Sequence, residues 1–241
     1  MQKGHAMFAF LSLAFAADDA AALLARVDAA NARGTDAHLV LQVAVTDRTG
    51  VASDRTLEIW QKGSAKRLVR FTAPARLAGT GLLVPDADTV YLYLPAYGKP
   101  RRVIGEQRGD SFMGTDFSME DLSRLSWSDD YTAVLGEVIG EVATLNLTPK
   151  DRAAHRDASV RISVRRADDL VSQVEHVDAS GAVTRRLTLS DFRVEGNRPL
   201  AHKLLVDDLV NAKHTAATVT LAEMDRGLTD DRFTLTELTR P

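Results

Sequence analysis

The sequence predicts a mainly β fold: one continuous antiparallel sheet, strongly curved or nearly closed. Three observations point to it. Roughly a dozen short runs rich in β-branched and aromatic residues follow one another at close spacing. Most are closed by Gly, Pro, Asn or Asp, the residues that turn a chain at low cost. Beyond Gly34 a helical period is rare, and no linker-like stretch or fixed-period repeat divides the chain, so one domain is expected over residues 17–241. With 241 residues, 45% of them hydrophobic and 26% charged, the chain can bury a substantial core.

The first element differs from the rest. "MQKGHAMFAFLSLAFAADDA" places Lys3 in a short basic head, an apolar run from Ala6 to Leu13, then Ala14 to Ala16 with small residues two apart. That order is the pattern of a secretory signal peptide, expected over residues 1–16. An Ala-rich amphipathic helix follows from about Asp18 to Ala32, ending at Gly34. Cysteine is absent, which removes disulfides, thiol chemistry and a lipid-accepting cysteine after the signal. The expected location is the periplasm, in soluble form without a lipid anchor.

The strands come next. "DAHLVLQVAVTD" and "RTLEIWQKG" are joined by the turn "DRTG", and "AKRLVRFTAP", "GTGLLVP" and "DTVYLYLP" follow. In "SVRISVRR", Val160, Ile162 and Val164 alternate with Arg161, Ser163 and Arg165, as on a sheet with one wet face. "DTVYLYLP" and "TLEIWQK" are instead apolar or semi-apolar on both faces, so each face there should be covered. A curved sheet with an apolar concave face and few helices has a second layer or encloses a ligand cavity.

The segment "RGDSFMGTDFSMEDL", Arg108 to Leu122, is the least ordinary. Its leading tripeptide is a three-residue match of the kind that chance supplies. Its acids, Asp110, Asp116, Glu120 and Asp121, lack the alternating ligand spacing of a calcium loop and read as helix-capping and solvated groups. Ser118 is a good N-cap, Asp121 occupies the third helical position, and Phe117 with Leu122 forms a hydrophobic staple. A short helix with Met119, Leu122 and Leu125 inward, preceded by Phe112-Met113-Gly114, resembles a lid over an apolar hollow. Methionine suits a surface that adapts to variable apolar shapes.

Composition and spacing give no enzyme. The formal charge of −3 excludes a strongly basic nucleic-acid footprint. The six histidines are scattered, Gly79–Gly81 lacks a dinucleotide context, and no Gly-x-Ser-x-Gly elbow occurs. No catalytic residue, metal ligand or cofactor is expected.

Residues Arg67 to Leu122 resemble the outer-membrane lipoprotein-sorting protein family, within the LolA/LolB-like superfamily of periplasmic carriers. The resemblance rests on "RLVRF", "GTGLL", "YLYLP", "RRVIG" and above all "SFMGTDFSMEDL". It implies an antiparallel half-barrel wrapped around helices that act as a lid, with an apolar cavity for acyl chains. It also implies carriage of a lipid or lipidated protein across the periplasm toward the outer membrane, with an inner-membrane exporter of the resistance-nodulation-division type as a partner. On that reading the cavity and lid are lined by Trp60, Phe71, Leu83, Tyr91, Tyr93, Phe112, Met113, Phe117, Met119 and Leu122. The alternative is an adaptor or sensor of the same fold that binds an exporter or a regulatory protein.

Overall fold

The computed structural model describes residues 13–32 and 34–240, and side chains from Asp19 onward. Most of the expected signal peptide, residues 1–12, lies outside the described residues. The first helix, α1, runs Leu13–Asn31, so it starts before the expected Asp18. Leu13-Ala-Phe-Ala-Ala17 is a run of mostly good helix formers, and nothing in it ends a helix.

Thirteen strands follow: β1 Asp36–Thr46, β2 Ala52–Lys62, β3 Lys66–Ala73, β4 Gly81–Asp86, β5 Thr89–Tyr93 and β6 Arg101–Arg102; then β7 Tyr131–Ile139, β8 Val142–Pro149, β9 Ser159–Arg165, β10 Val171–Val177, β11 Val183–Glu195, β12 Arg198–Asp208 and β13 Lys213–Met224. All join one sheet in the order β6-β5-β4-β3-β2-β1-β13-β12-β11-β10-β9-β8-β7, with antiparallel neighbours. Two meanders are thus zipped together at their first and last strands by β1 and β13. The sheet stays open, because its edges β6 and β7 do not pair with each other. It is a curved half-barrel rather than a closed one.

This order dictates where the lid lies. Strands β6 and β7 are consecutive in sequence yet occupy opposite edges of the sheet. The connection between them, residues 103–130, must cross from one edge to the other. It does so over the concave face and carries the short helix α2, Met119–Ser123.

Two apolar clusters fill the concave side. One packs Phe112, Phe117, Met119 and Leu122 of the crossing segment onto Leu41, Val43, Leu57, Val69, Phe71, Leu82 and Leu92. The other packs Leu23, Leu24 and Val27 of α1, with Trp127, onto Leu145, Leu147, Val160, Ile162 and Val164. The alternation expected in "SVRISVRR" is observed, with Val160, Ile162 and Val164 buried.

The convex side of β2–β5 is covered too, as its two-faced strands require. The C-terminal segment, with α3 at Leu235–Leu238, brings Phe233 and Leu238 onto Trp60, Leu68 and Leu83. Close approach needs Gly81: a Cβ there would sit 2.7 Å from the Val69 carbonyl and 3.1 Å from Leu238 Cδ1. A Gly81→Ala variant should lose about 1–3 kcal/mol by overpacking, read as a lower urea midpoint with unchanged m-value.

Candidate functional site

The lid is built from local chemistry. Ser118 Oγ accepts from the Asp121 amide at 3.0 Å, and Asp121 Oδ2 accepts from the Ser118 amide at 2.9 Å, so the capping box is complete. Phe117 and Leu122 both enter the concave core, as the staple requires. Met113 and Gly114 take the left-handed conformation, φ 52° and 77°, which turns the chain back ahead of the helix.

The acids of this segment are not solvated, contrary to the sequence expectation, except for Asp110, which stays exposed. Asp121 pairs with Arg185 at 3.1 Å and His176 at 3.4 Å, and His176 Nδ1 lies 2.6 Å from Asp157. Burial opposes the Asp121 charge, but the Arg185 guanidinium and the His176 ring outweigh it and hold its carboxyl well below the usual carboxylate range. Glu120 is met by Arg124, by the Tyr131 hydroxyl at 2.8 Å and by His155 at 2.9 Å, and is lowered in the same way against its burial. Asp116 pairs with Lys213 at 2.8 Å and accepts from Thr215 Oγ1 at 2.7 Å. Every one of these partners except Arg124 comes from outside the crossing segment. The acids therefore weld the crossing segment to strands on the far half of the sheet.

Beneath and beside the lid lies a cavity of about 320 Å³. Its floor is apolar: Leu39 and Ile59 from one meander, Leu187, Leu189, Leu200 and Leu204 from the other. Phe117, Leu122, Leu125 and Trp127 form its lid side. The floor leucines and Ile59 are only partly buried, so they face an open hollow instead of a packed core. Arg67, on the wall, donates to the carbonyls of Leu122 and Arg124, each at 2.9 Å, and to Gln61 at 2.6 Å. Burial, with the nearby Arg124 charge, pushes the Arg67 guanidinium down to about 10.

Of the ten residues expected to line the cavity, the structure places Phe117 and Leu122 on its wall. Phe71, Phe112, Met113 and Met119 belong to the packed concave core that supports the lid, with Phe71 and Phe112 stacked at 5.0 Å. Trp60, Leu83, Tyr91 and Tyr93 lie on the convex face under the C-terminal segment. The reason is strand phase: Leu57 and Ile59 take the concave side of β2, which sends Trp60 outward. There the Trp60 ring stacks on His38 at 5.0 Å and meets Arg232 at 5.1 Å.

The wall residues of β11 and β12 were missed. "RRLTLSDF" alternates cleanly, with Leu187 and Leu189 on one side, but nothing local tells which side meets the groove. Phe112, 1% exposed, is a core residue, and Phe112→Ala should cost about 3–5 kcal/mol of unfolding free energy, measurable by urea titration. Among the described residues no group of three or more His, Asp or Glu side chains could hold a metal ion, and no helix is long and apolar enough to cross a membrane.

A candidate outer membrane lipoprotein-sorting protein domain from Vibrio parahaemolyticus superposes with a TM-score of 0.81 at 22% identity, over 93% of this chain and 100% of that one. A DUF1329 family protein from Desulfovibrio piger gives 0.82 at 22% identity, over 92% and 99%. A LolA superfamily protein from Nitrosomonas europaea gives 0.73 at 18% identity, over 89% and 97%. At these identities the likeness establishes the fold, a LolA-like half-barrel. No curated protein matches the chain by sequence. Residues 63–240, which hold the lid, both sheet edges and the convex cover, match the model of a family described as "-like: Uncharacterized protein", and the chain belongs to that family.

Proposed function

We propose that this protein is a periplasmic carrier that holds a lipid, or the acyl chains of a lipoprotein, in its concave cavity and hands it on toward the outer membrane. The observation that carries this reading is the apolar hollow of about 320 Å³ floored by half-buried leucines and roofed by the segment that crosses from one sheet edge to the other. Its size falls at the lower end of the roughly 300–1,000 Å³ typical of small-molecule sites. Burying ten methylenes would supply about 8 kcal/mol before ordering costs, enough for reversible capture without covalent chemistry. The likeness in fold to a domain named for lipoprotein sorting supports the same reading. On this account residues 1–16 direct export, residues 17–241 form the carrier domain, and the protein is not an enzyme.

A second reading is an adaptor of the same fold that docks on an inner-membrane exporter of the resistance-nodulation-division type or on a regulatory protein. It draws on the edge strand β7, where Val134 and Ile139 are 62% and 71% exposed. Native mass spectrometry of the protein purified from its exported compartment separates the two. Stoichiometric acyl species are expected for the carrier. An empty protein that binds tightly to an exporter's periplasmic domain would favour the adaptor.

A further inference from the structure

Building on the carrier reading, we propose that the cavity selects acyl chains that end in an anionic group, a carboxylate or a phosphodiester. Its lining holds two arginines, Arg67 and Arg198, that make no salt bridge with a carboxylate among the described residues. Five ionisable side chains of opposite signs line the cavity: Arg67, Arg124, Arg198, Asp36 and Asp121. Three of them are occupied. Asp36 accepts from the amides of Arg226, Gly227 and Leu228 at 2.9, 2.9 and 3.0 Å. Asp121 is held by Arg185 and His176, and Arg124 by Glu120.

Arg67 and Arg198 remain. Among the described residues, no carboxylate oxygen lies within 4.0 Å of either guanidinium. Arg67 meets only two carbonyls and an amide oxygen. Arg198 donates to the Asp36 carbonyl at 3.0 Å and to the Met224 thioether at 2.8 Å, a weak acceptor. Asp225 feels the Arg198 charge from beyond salt-bridge distance, and its Oδ1 accepts from the Thr35 amide and hydroxyl at 2.6 and 3.0 Å.

The two arginines share one end of the groove. Arg67 pairs in register with Gln61, Gln61 with Ala37, and Ala37 with Met224, which Arg198 touches. This row crosses five adjacent strands, β3-β2-β1-β13-β12. Four strand spacings of about 4.8 Å separate its ends on a flat sheet, so the pair makes a charged rim and not a two-point clamp. An apolar floor that ends in arginines without a salt-bridge partner matches an amphiphile with a negative head, because a buried charge left unpaired is costly until an anion reaches it. Arg67 adds a consequence: a headgroup that draws on its guanidinium competes with the lid carbonyls that it now holds.

Palmitate and hexadecanol, equal in chain length and different in charge, test this by displacement of a fluorescent acyl probe at neutral pH. Palmitate should bind at least about tenfold tighter, the scale of one charge-assisted hydrogen bond. Arg198→Gln should shrink that preference, Arg67→Gln should do the same, and Arg67→Lys should retain most of it. Because Arg67 also braces the lid, Arg198→Gln decides the matter if the Arg67 variants fail to fold. Extraction of phosphatidylglycerol in preference to phosphatidylcholine from mixed vesicles would assign the anion to a lipid headgroup; palmitate binding without extraction would assign it to a free fatty acid. Equal affinity for palmitate and hexadecanol would overturn the proposal and leave the carrier reading standing. No binding of either would overturn both.

Discussion

Asp121→Ala should destabilise the protein by about 3–5 kcal/mol, the cost of leaving a buried cation without its counter-charge. The substitution strips Arg185 and His176 of the carboxylate at 3.1 and 3.4 Å and also opens the capping box of α2. Urea unfolding followed by circular dichroism reads the loss directly. Asp110→Ala, in the same segment but exposed, should change stability by no more than about 0.5 kcal/mol. A similar small effect for Asp121→Ala would show that the buried pair does not hold the lid.

The same network fixes how stability follows pH. Asp121 and Glu120 have folded-state pKa values below their unfolded ones, so their contribution is present above about pH 4 and is lost as pH falls. His176 behaves oppositely: burial works against its charge, but Asp121 and Asp157 prevail over burial and the opposing Arg185, and its pKa is raised. Its share is complete below its unfolded pKa, near 6.5, and is lost as pH rises through the folded value. Stability should therefore plateau between about pH 4.5 and 6.5 and fall on either side, more steeply on the acid side where two carboxylates titrate. Chemical denaturation across this range measures it, and Asp121→Ala should flatten much of both slopes.

Leu187→Asp should weaken acyl-chain binding by about a hundredfold or more while the sheet keeps its circular dichroism. Leu187 faces the cavity at the meeting of the two concave clusters and is only partly buried, so an ionised group there stays hydrated in the empty protein. Filling the cavity would strip that hydration, which costs several kcal/mol. Leu204→Asp, across the same floor, should act alike. Phe112→Asp, by contrast, is a poor probe of binding, since Phe112 is packed against Phe71 and its replacement would unfold the lid core. Unchanged acyl binding in Leu187→Asp would place the ligand elsewhere.

What the sequence revealed and what it hid follow from the range of the interactions involved. The cap at Ser118 is local, within five residues, and is found as read, and Phe117 and Leu122 both enter the concave core. Strand alternation at Val160, Ile162 and Val164 is local as well. The side of a strand that meets the groove is not local. β2, β4 and β5 are apolar on both faces, so Trp60, Leu83, Tyr91 and Tyr93 offered no internal sign that a C-terminal helix would take the convex one. Asp121 caps the helix as read, but the solvated character expected of the lid acids fails for the same reason. Arg185 and Lys213, which bury Asp121 and Asp116, arrive from β11 and β13 only once the sheet is assembled. The cavity floor on β11 and β12 depends on the β1–β13 pairing that closes the two meanders together, a contact between the beginning and the end of the chain.

Where a bound chain sits is the most direct question to put to this account. A palmitate carrying a photoactivatable diazirine near its methyl end, bound to the intact protein and irradiated, marks its neighbours for peptide mass spectrometry. Cross-links should fall on the concave floor and lid, at Leu39, Leu187, Leu204 and Leu125, and should vanish in Leu187→Asp. Cross-links on the convex cluster at Trp60, Tyr91 and Tyr93, or none above the level of an unrelated protein, would contradict a carrier that works through its concave cavity.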